Sequence, residues 1–164
     1  MQILVACFGN VLRGDDGFGI VVAQRLVESG VPSSVRVLEI GIGGIHLVQE
    51  LLDPVDALVV VDAVDVGRPP GTVVVIDPEV ADVAALPIDQ RRDALADMHY
   101  ATPDRAFTLA RGLGVLPPVT VVVGCQPLDA QRYGEGLSEP AAAAVDAAIA
   151  EVHATVAALG VDWH

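Results

Sequence analysis

The sequence predicts an α/β domain built on a mixed sheet, and three observations carry that expectation. Apolar, β-branched runs alternate with amphipathic segments along the whole chain, without a repeat or a composition break. The run Ala57 to Val61 is continuous and β-branched, as a strand buried on both faces of a parallel sheet should be. A chain of 164 residues, 52% of them hydrophobic, can bury roughly 70% of its unfolded surface around one core, so residues 1–164 read as one domain.

The elements follow in order. Residues 2–8 form the first strand. A helix runs from about Asp16 to Ser29 with an apolar face of Phe18, Val21, Val22, Leu26 and Val27, and Gly30 stops it. A short strand spans Val35 to Glu39. Gly41-Ile42-Gly43-Gly44 opens a second helix to Leu52, with Ile45, Val48 and Leu52 at helical spacing and Leu47 and Leu51 widening the stripe. The third strand, Ala57 to Val61, ends at Asp62. Thr72 to Ile76 is the fourth strand; nine residues between Asp62 and Thr72 are too few for a helical crossover, so it is antiparallel or displaced to an edge. Residues 78–100 are acidic and poorly periodic, with a short helix near Gln90 to Ala96, and a segment of that length is typical of functional loops. Thr102 and Pro103 form an N-cap and N1 pair for a helix to Arg111, stopped by Gly112. Val119 to Val123 is the fifth strand, and Ser138 caps an Ala-rich final helix ending near Gly160, before a frayed tail at His164.

Composition removes several function classes. The net charge of −13 repels nucleic acid and anionic membranes and favours a basic or metal-carrying partner. All nine basic residues are Arg, so Schiff-base and P-loop lysine chemistry is excluded. Cys7 and Cys125 each end an apolar run and read as inert core thiols. The N-terminal apolar run is too short for a signal peptide and no stretch approaches a continuous membrane span, which leads to the expectation of a soluble, cytoplasmic protein.

The stretch Gly9-Asn10-Val11-Leu12-Arg13-Gly14-Asp15-Asp16-Gly17-Phe18-Gly19 follows the first strand, where nucleotide-binding folds seat a phosphate. Here two aspartates occupy that place, and their charge favours a cation. In an open α/β sheet, ligands bind at the carboxyl ends of the strands where strand order reverses. If the first and third strands are neighbours, the Asp15-Asp16 loop and Asp62 converge there. Two carboxylates about 5 Å apart repel by roughly 3 kcal/mol at an effective dielectric near 20, so one is protonated or a cation sits between them. His99, in the loop before a helix, offers an imidazole as a third ligand. Such an oxygen, oxygen, nitrogen set suits nickel, zinc, iron or manganese alike. Simpler roles compete: Asp16 as a helix-start charge, Asp62 as a turn residue, His99 as a solvated side chain. His46, His153 and His164 are weaker candidates.

The first motif resembles the GN-x-L-x-x-D-[DE]-x-x-G signature of the hydrogenase maturation endopeptidases. Leu58-Val59-Val60-Val61-Asp62-Ala63-Val64 resembles that family's third-strand pattern, Gly124-Cys125-Gln126-Pro127 its late strand end, and Gly136-Leu137-Ser138 the segment before its last helix. The resemblance covers nearly the whole chain. It implies a three-layer sandwich, a twisted five-stranded mixed sheet between helices. It also implies an endopeptidase that removes the C-terminal extension of a nickel-iron hydrogenase large-subunit precursor after nickel insertion. Its implied catalytic and metal-contacting residues are Asp16, Asp62 and His99, and the nickel is carried by the precursor, with no permanent cofactor. Register favours Asp16 over Asp15, which is left to orient the loop through local backbone bonds. Gly9, Asn10, Gly43 and Gly44 are expected to shape the cleft. Ile42 stands where the family often carries Thr, and Asp97-Met98-His99 where it often reads Ser-x-His.

The chain carries no Ser-His-Asp, Cys-His or His-Glu-x-x-His pattern, so a separate nucleophile is not expected. A non-catalytic module or chaperone that binds the metallated precursor is the alternative. A phosphoacceptor receiver domain also groups acids after two strands, but it needs a lysine that this chain lacks. A nucleotide-binding enzyme has only the weak Gly41-Ile42-Gly43-Gly44 match.

Overall fold

The computed structural model describes residues 1–91 and 102–163. Five strands form one sheet: β1 (Ile3–Phe8), β2 (Val35–Gly41), β3 (Ala57–Ala63), β4 (Val73–Ile76) and β5 (Val119–Cys125). Their order is β2-β1-β3-β5-β4. All neighbours are parallel except β4, which lies antiparallel to β5 with Val73 opposite Cys125. The short link after β3 cannot carry a crossover helix, so β4 takes the edge beyond β5.

Helices α1 (Phe18–Ser29) and α4 (Glu139–Ala158) cover one face, and α2 (Gly44–Glu50) and α3 (Pro103–Gly112) cover the other. Strand alternation divides β1 between the two cores: Ile3, Val5 and Cys7 pack under α1 and α4, whereas Leu4, Ala6 and Phe8 pack under α2 and α3. Every residue of β1 is buried, which explains an apolar run with no polar alternation. By length and composition α4 could also cross a membrane. Here its buried stripe of Ala141, Ala144, Val145, Ala148, Val152 and Val156 lies against the sheet.

Several local expectations change. A 3-10 turn, Gly14–Gly17, precedes α1, so Asp16 sits before the helix rather than starting it. The buried face of α1 uses Ile20 and Ala23 in addition to Phe18, Val22 and Leu26, and leaves Val27 in solvent. On α2 the buried stripe is Leu47 and Val48, continued by Leu51; Ile45 and Leu52 are exposed. The glycine with positive φ after α3 is Gly114, not Gly112. Residues 83–85 form a 3-10 turn and residues 88–91 are helical, while the rest of the expected helix near Gln90 to Ala96 lies outside the described residues. The tail is anchored as far as Trp163, which is 4% exposed, donates its indole N–H to the Gly30 carbonyl at 2.8 Å and packs against the His153 ring at a tilt of 42°, the ring centroids 4.7 Å apart.

Candidate active site

The chain runs from β1 outward to β2, then returns to the other side of β1 for β3, so strand order reverses at β1. Parallel pairing of β1 with β3, Cys7 opposite Val61, aligns their carboxyl ends and brings the loop after β1 beside Asp62. That is where an open α/β sheet forms its ligand crevice.

Local bonds shape the loop. Asn10 Oδ1 accepts from the Leu12 N–H at 3.0 Å, the Asn10 N–H donates to the Asp16 carbonyl at 3.1 Å, and the Asp16 N–H donates to the Arg13 carbonyl at 3.1 Å. The chain doubles back so tightly that a Cβ on Gly9, whose φ is +142°, would collide with the Asp16 carbonyl. Gly19 plays the same part for α1: a Cβ there would lie 2.6 Å from the Val61 carbonyl oxygen and collide with that of Phe8. Glycine lets α1 begin against β1 and β3, which carries Asp16 to the crevice.

Asp16 and Asp62 line one cavity of about 170 Å3, together with Gly9, Gly41, Ile42 and Thr102. Burial pushes the Asp62 carboxyl up to about 7; its bond from the Ala63 N–H at 2.8 Å opposes this, and the charges of Asp16 and Asp104 add to the rise. Burial also raises Asp16, against the Arg13 charge and the Asn10 N–H. Desolvated acids in repulsion favour a proton or a cation, and a divalent metal is the cation that two carboxylates can share. Asp104, in the first turn of α3, is a neighbour that the sequence reading missed. Its approach depends on the packing of α3 against the sheet, for which no local signal exists.

Asp15 faces away from this cavity. It is 1% exposed, and its carboxylate accepts from the N–H groups of Leu128 at 2.8 Å, Asp129 at 3.2 Å and Ser138 at 2.6 Å, and from the Ser138 hydroxyl at 2.8 Å. Burial raises its pKa, but those donors, Ser138 foremost, bring it below the usual value. The expected local role is therefore corrected: the bonds reach across more than a hundred residues and tie the first-motif loop to the segment before α4. Ser138 also accepts from the Ala141 N–H at 3.4 Å, which caps α4. Gln126 is a second clamp. Its Oε1 accepts from the N–H groups of Val66 at 2.8 Å and Arg68 at 3.2 Å, and its Nε2 donates to Asp65 at 3.1 Å. The later motifs thus hold loops in place.

The other expectations sort plainly. Burial raises the thiols of Cys7 and Cys125, the latter to about 11, as expected of inert core cysteines. Gly43 has negative φ and a Cβ there would make only ordinary contacts, whereas Gly41 at φ +66° is the glycine its turn requires. Gly44 is buried at the start of α2. His99 lies outside the described residues. Among the described residues, no three His, Cys, Asp or Glu side chains come together as a metal site.

A family model described as hydrogenase maturation protease matches residues 20–155. The hydrogenase expression/formation protein HupD of Rhodobacter capsulatus is 33% identical over 162 residues, covering 98% of this chain and 74% of the relative. A putative hydrogenase maturation protease of Methanocaldococcus jannaschii is 34% identical over 156 residues, covering 90% and 92%. Among solved structures, the hydrogenase maturating endopeptidase HybD of Escherichia coli superposes with a TM-score of 0.78 at 25% identity, over 99% of this chain and 96% of that one. The hydrogenase 2 maturation peptidase of Thaumarchaeota archaeon SCGC_AB-539-E09 gives 0.68 at 31% identity, over 95% and 98%.

Proposed function

The chain belongs to the hydrogenase maturation protease family, and on that premise we propose that it removes the C-terminal extension of a nickel-iron hydrogenase large-subunit precursor once nickel is in place. The precursor carries the nickel as part of the substrate, and the protease needs no permanent cofactor. Asp16, Asp62 and His99 contact it, in the cytoplasm. The observation that carries this reading is the shared cavity: one acid from the loop after β1 and one from β3 line it together at the switch point.

Electrostatics supports the same reading. An empty acid pair is in repulsion, and a precursor bearing a divalent metal relieves it, whereas a metal-free precursor does not. Docked nickel positions the scissile peptide and polarises its carbonyl; a carboxylate of the pair takes the proton of the attacking water. The water oxygen joins the carbonyl carbon, the carboxylate passes the proton it took to the peptide nitrogen, the C–N bond breaks, and the extension leaves with a new amino terminus.

The test is incubation with nickel-loaded and nickel-free precursor, following loss of C-terminal mass. Cleavage restricted to the loaded precursor is expected, and Asp16→Asn, Asp62→Asn and His99→Ala should each abolish it in folded protein. Nickel-dependent binding without cleavage would replace the protease reading with a chaperone. Normal processing by all three variants would overturn the site.

A further inference from the structure

Beside the acid-pair cavity a larger cleft of about 500 Å3 opens between the Gly9–Leu12 loop, the first turns of α1 and the end of β2. Val11, Leu12, Ile20 and Ile42 give it apolar walls, and Glu39 is its one charged lining residue. The two cavities share Gly9, Gly41 and Ile42. On the opposite flank the acid-pair cavity shares Asp62 and Thr102 with a third cavity of about 380 Å3, where Asp65, Glu79 and Asp104 also stand. The three make one trough across the carboxyl ends of the strands, with apolar walls at both ends and most of its acids at the α3 end.

Three features define what fits the β2 end. Leu12 is 57% and Ile42 65% exposed. The backbone at Leu12 is nevertheless held on both sides, its N–H by Asn10 Oδ1 at 3.0 Å and its carbonyl by the Gly134 N–H at 3.0 Å. An apolar side chain held in water on an already ordered backbone gains its burial energy on binding, with little further ordering to offset it. Next, β2 is an edge strand whose ladder partner among the described residues is β1. Its last residues, Glu39 to Gly41, line the cleft, and the end of an edge strand is where an extended segment can add to a sheet. Finally, Glu39, the acids of the far end and the net charge of −13 oppose an acidic occupant.

We propose that this cleft is the specificity subsite for one side of the cut: it takes an extended, aliphatic, non-acidic segment of the precursor that adjoins the scissile bond, with Leu12 and Ile42 as its apolar contacts. The proposal rests on the protease reading above and adds the chemistry and orientation of the substrate, since the β2 end sets apolar walls beside a single acid, whereas the α3 end sets Asp65, Glu79 and Asp104 among its apolar walls.

The experiment is steady-state cleavage of the nickel-loaded large-subunit precursor of the source organism by the wild type, Leu12→Asp, Ile42→Asp and Val27→Asp. Val27 is an equally exposed apolar residue near the far end of α1. Leu12→Asp should raise KM at least tenfold with kcat within about twofold; Ile42→Asp should raise KM as much and also lower kcat, because Ile42 lines the acid-pair cavity too; Val27→Asp should change neither. Thermal melts check folding; if an Asp variant melts early, Leu12→Ala and Ile42→Ser carry the test with a KM rise of at least threefold. Wild-type cleavage with unchanged KM in the cleft variants overturns the proposal and leaves the protease reading standing. Failure of the wild type to cleave overturns both. Sedimentation closes the remaining case: variants that lose self-association and keep their KM would make the cleft a contact between copies of this chain, which also overturns it.

Discussion

Adjacent aspartates in one motif have opposite fates, and the difference is decided atom by atom. Asp15 is enclosed by four donors, while Asp16 and Asp62 share a cavity with few. Replacing Asp15 with Ala leaves the N–H groups of Leu128, Asp129 and Ser138 without their acceptor and should cost about 3 kcal/mol in urea unfolding, with Asp15→Asn losing less. Because its folded pKa is depressed, its contribution is fully present above the unfolded value near 4 and is lost as pH falls through the folded one. Asp62 has the opposite sign. Its folded pKa of about 7 exceeds the unfolded value, so stability falls as pH rises from about 4 to 7 and is level above that. Asp62→Asn should therefore be more stable than wild type at pH 8, by at most about 4 kcal/mol, while the two converge at pH 4. Urea melts at both pH values measure this, and equal stabilities throughout would count against a desolvated Asp62. The sequence names both acids as candidates. Motif register favours Asp16 for the crevice, but no local sign shows that Asp15 is enclosed, because its donors come from residues 128–138.

At the scale of elements, the site depends on how closely α1 approaches the sheet. Gly19→Ala should destabilise the fold by roughly 2 to 3 kcal/mol, since neither the Phe8 nor the Val61 carbonyl can move out of the sheet ladder. In protein that remains folded, processing of the precursor should fall as Asp16 is displaced; full activity would show that the loop tolerates the shift. The strands and the longer helices are legible from periodicity, since β1 and β3 are buried on both faces and α4 runs for twenty residues. Short elements are less so. With seven residues, α2 has too few turns for spacing to separate Leu47 and Val48 from Ile45, and the packing of α3 and the sheet chose the buried pair. The 3-10 turn before α1 likewise arises from the contacts of Gly9 and Asn10 with Asp16, not from any propensity of its own.

At the scale of the whole molecule, the C-terminal tail closes the core beneath α1 and α4 through Trp163. Trp163→Ala should lower unfolding free energy by about 3 kcal/mol while leaving kcat for precursor cleavage intact at temperatures where the variant is folded. A change in kcat would mean that the tail acts on the site. The sequence by itself determined the α/β class, the five strands, a fourth one that could not join by a crossover, the candidate acids and the resemblance to the family, because each rests on short-range pattern: apolar runs, glycine spacing, a link too short for a crossover. Tertiary structure alone decided that β1 and β3 are neighbours, that Asp15 is a clamp and Asp104 a neighbour of Asp62, and that the crevice continues into a trough whose acids gather toward α3. Those facts follow from contacts between residues far apart in the chain, where burial and hydrogen bonding are set by what packs alongside.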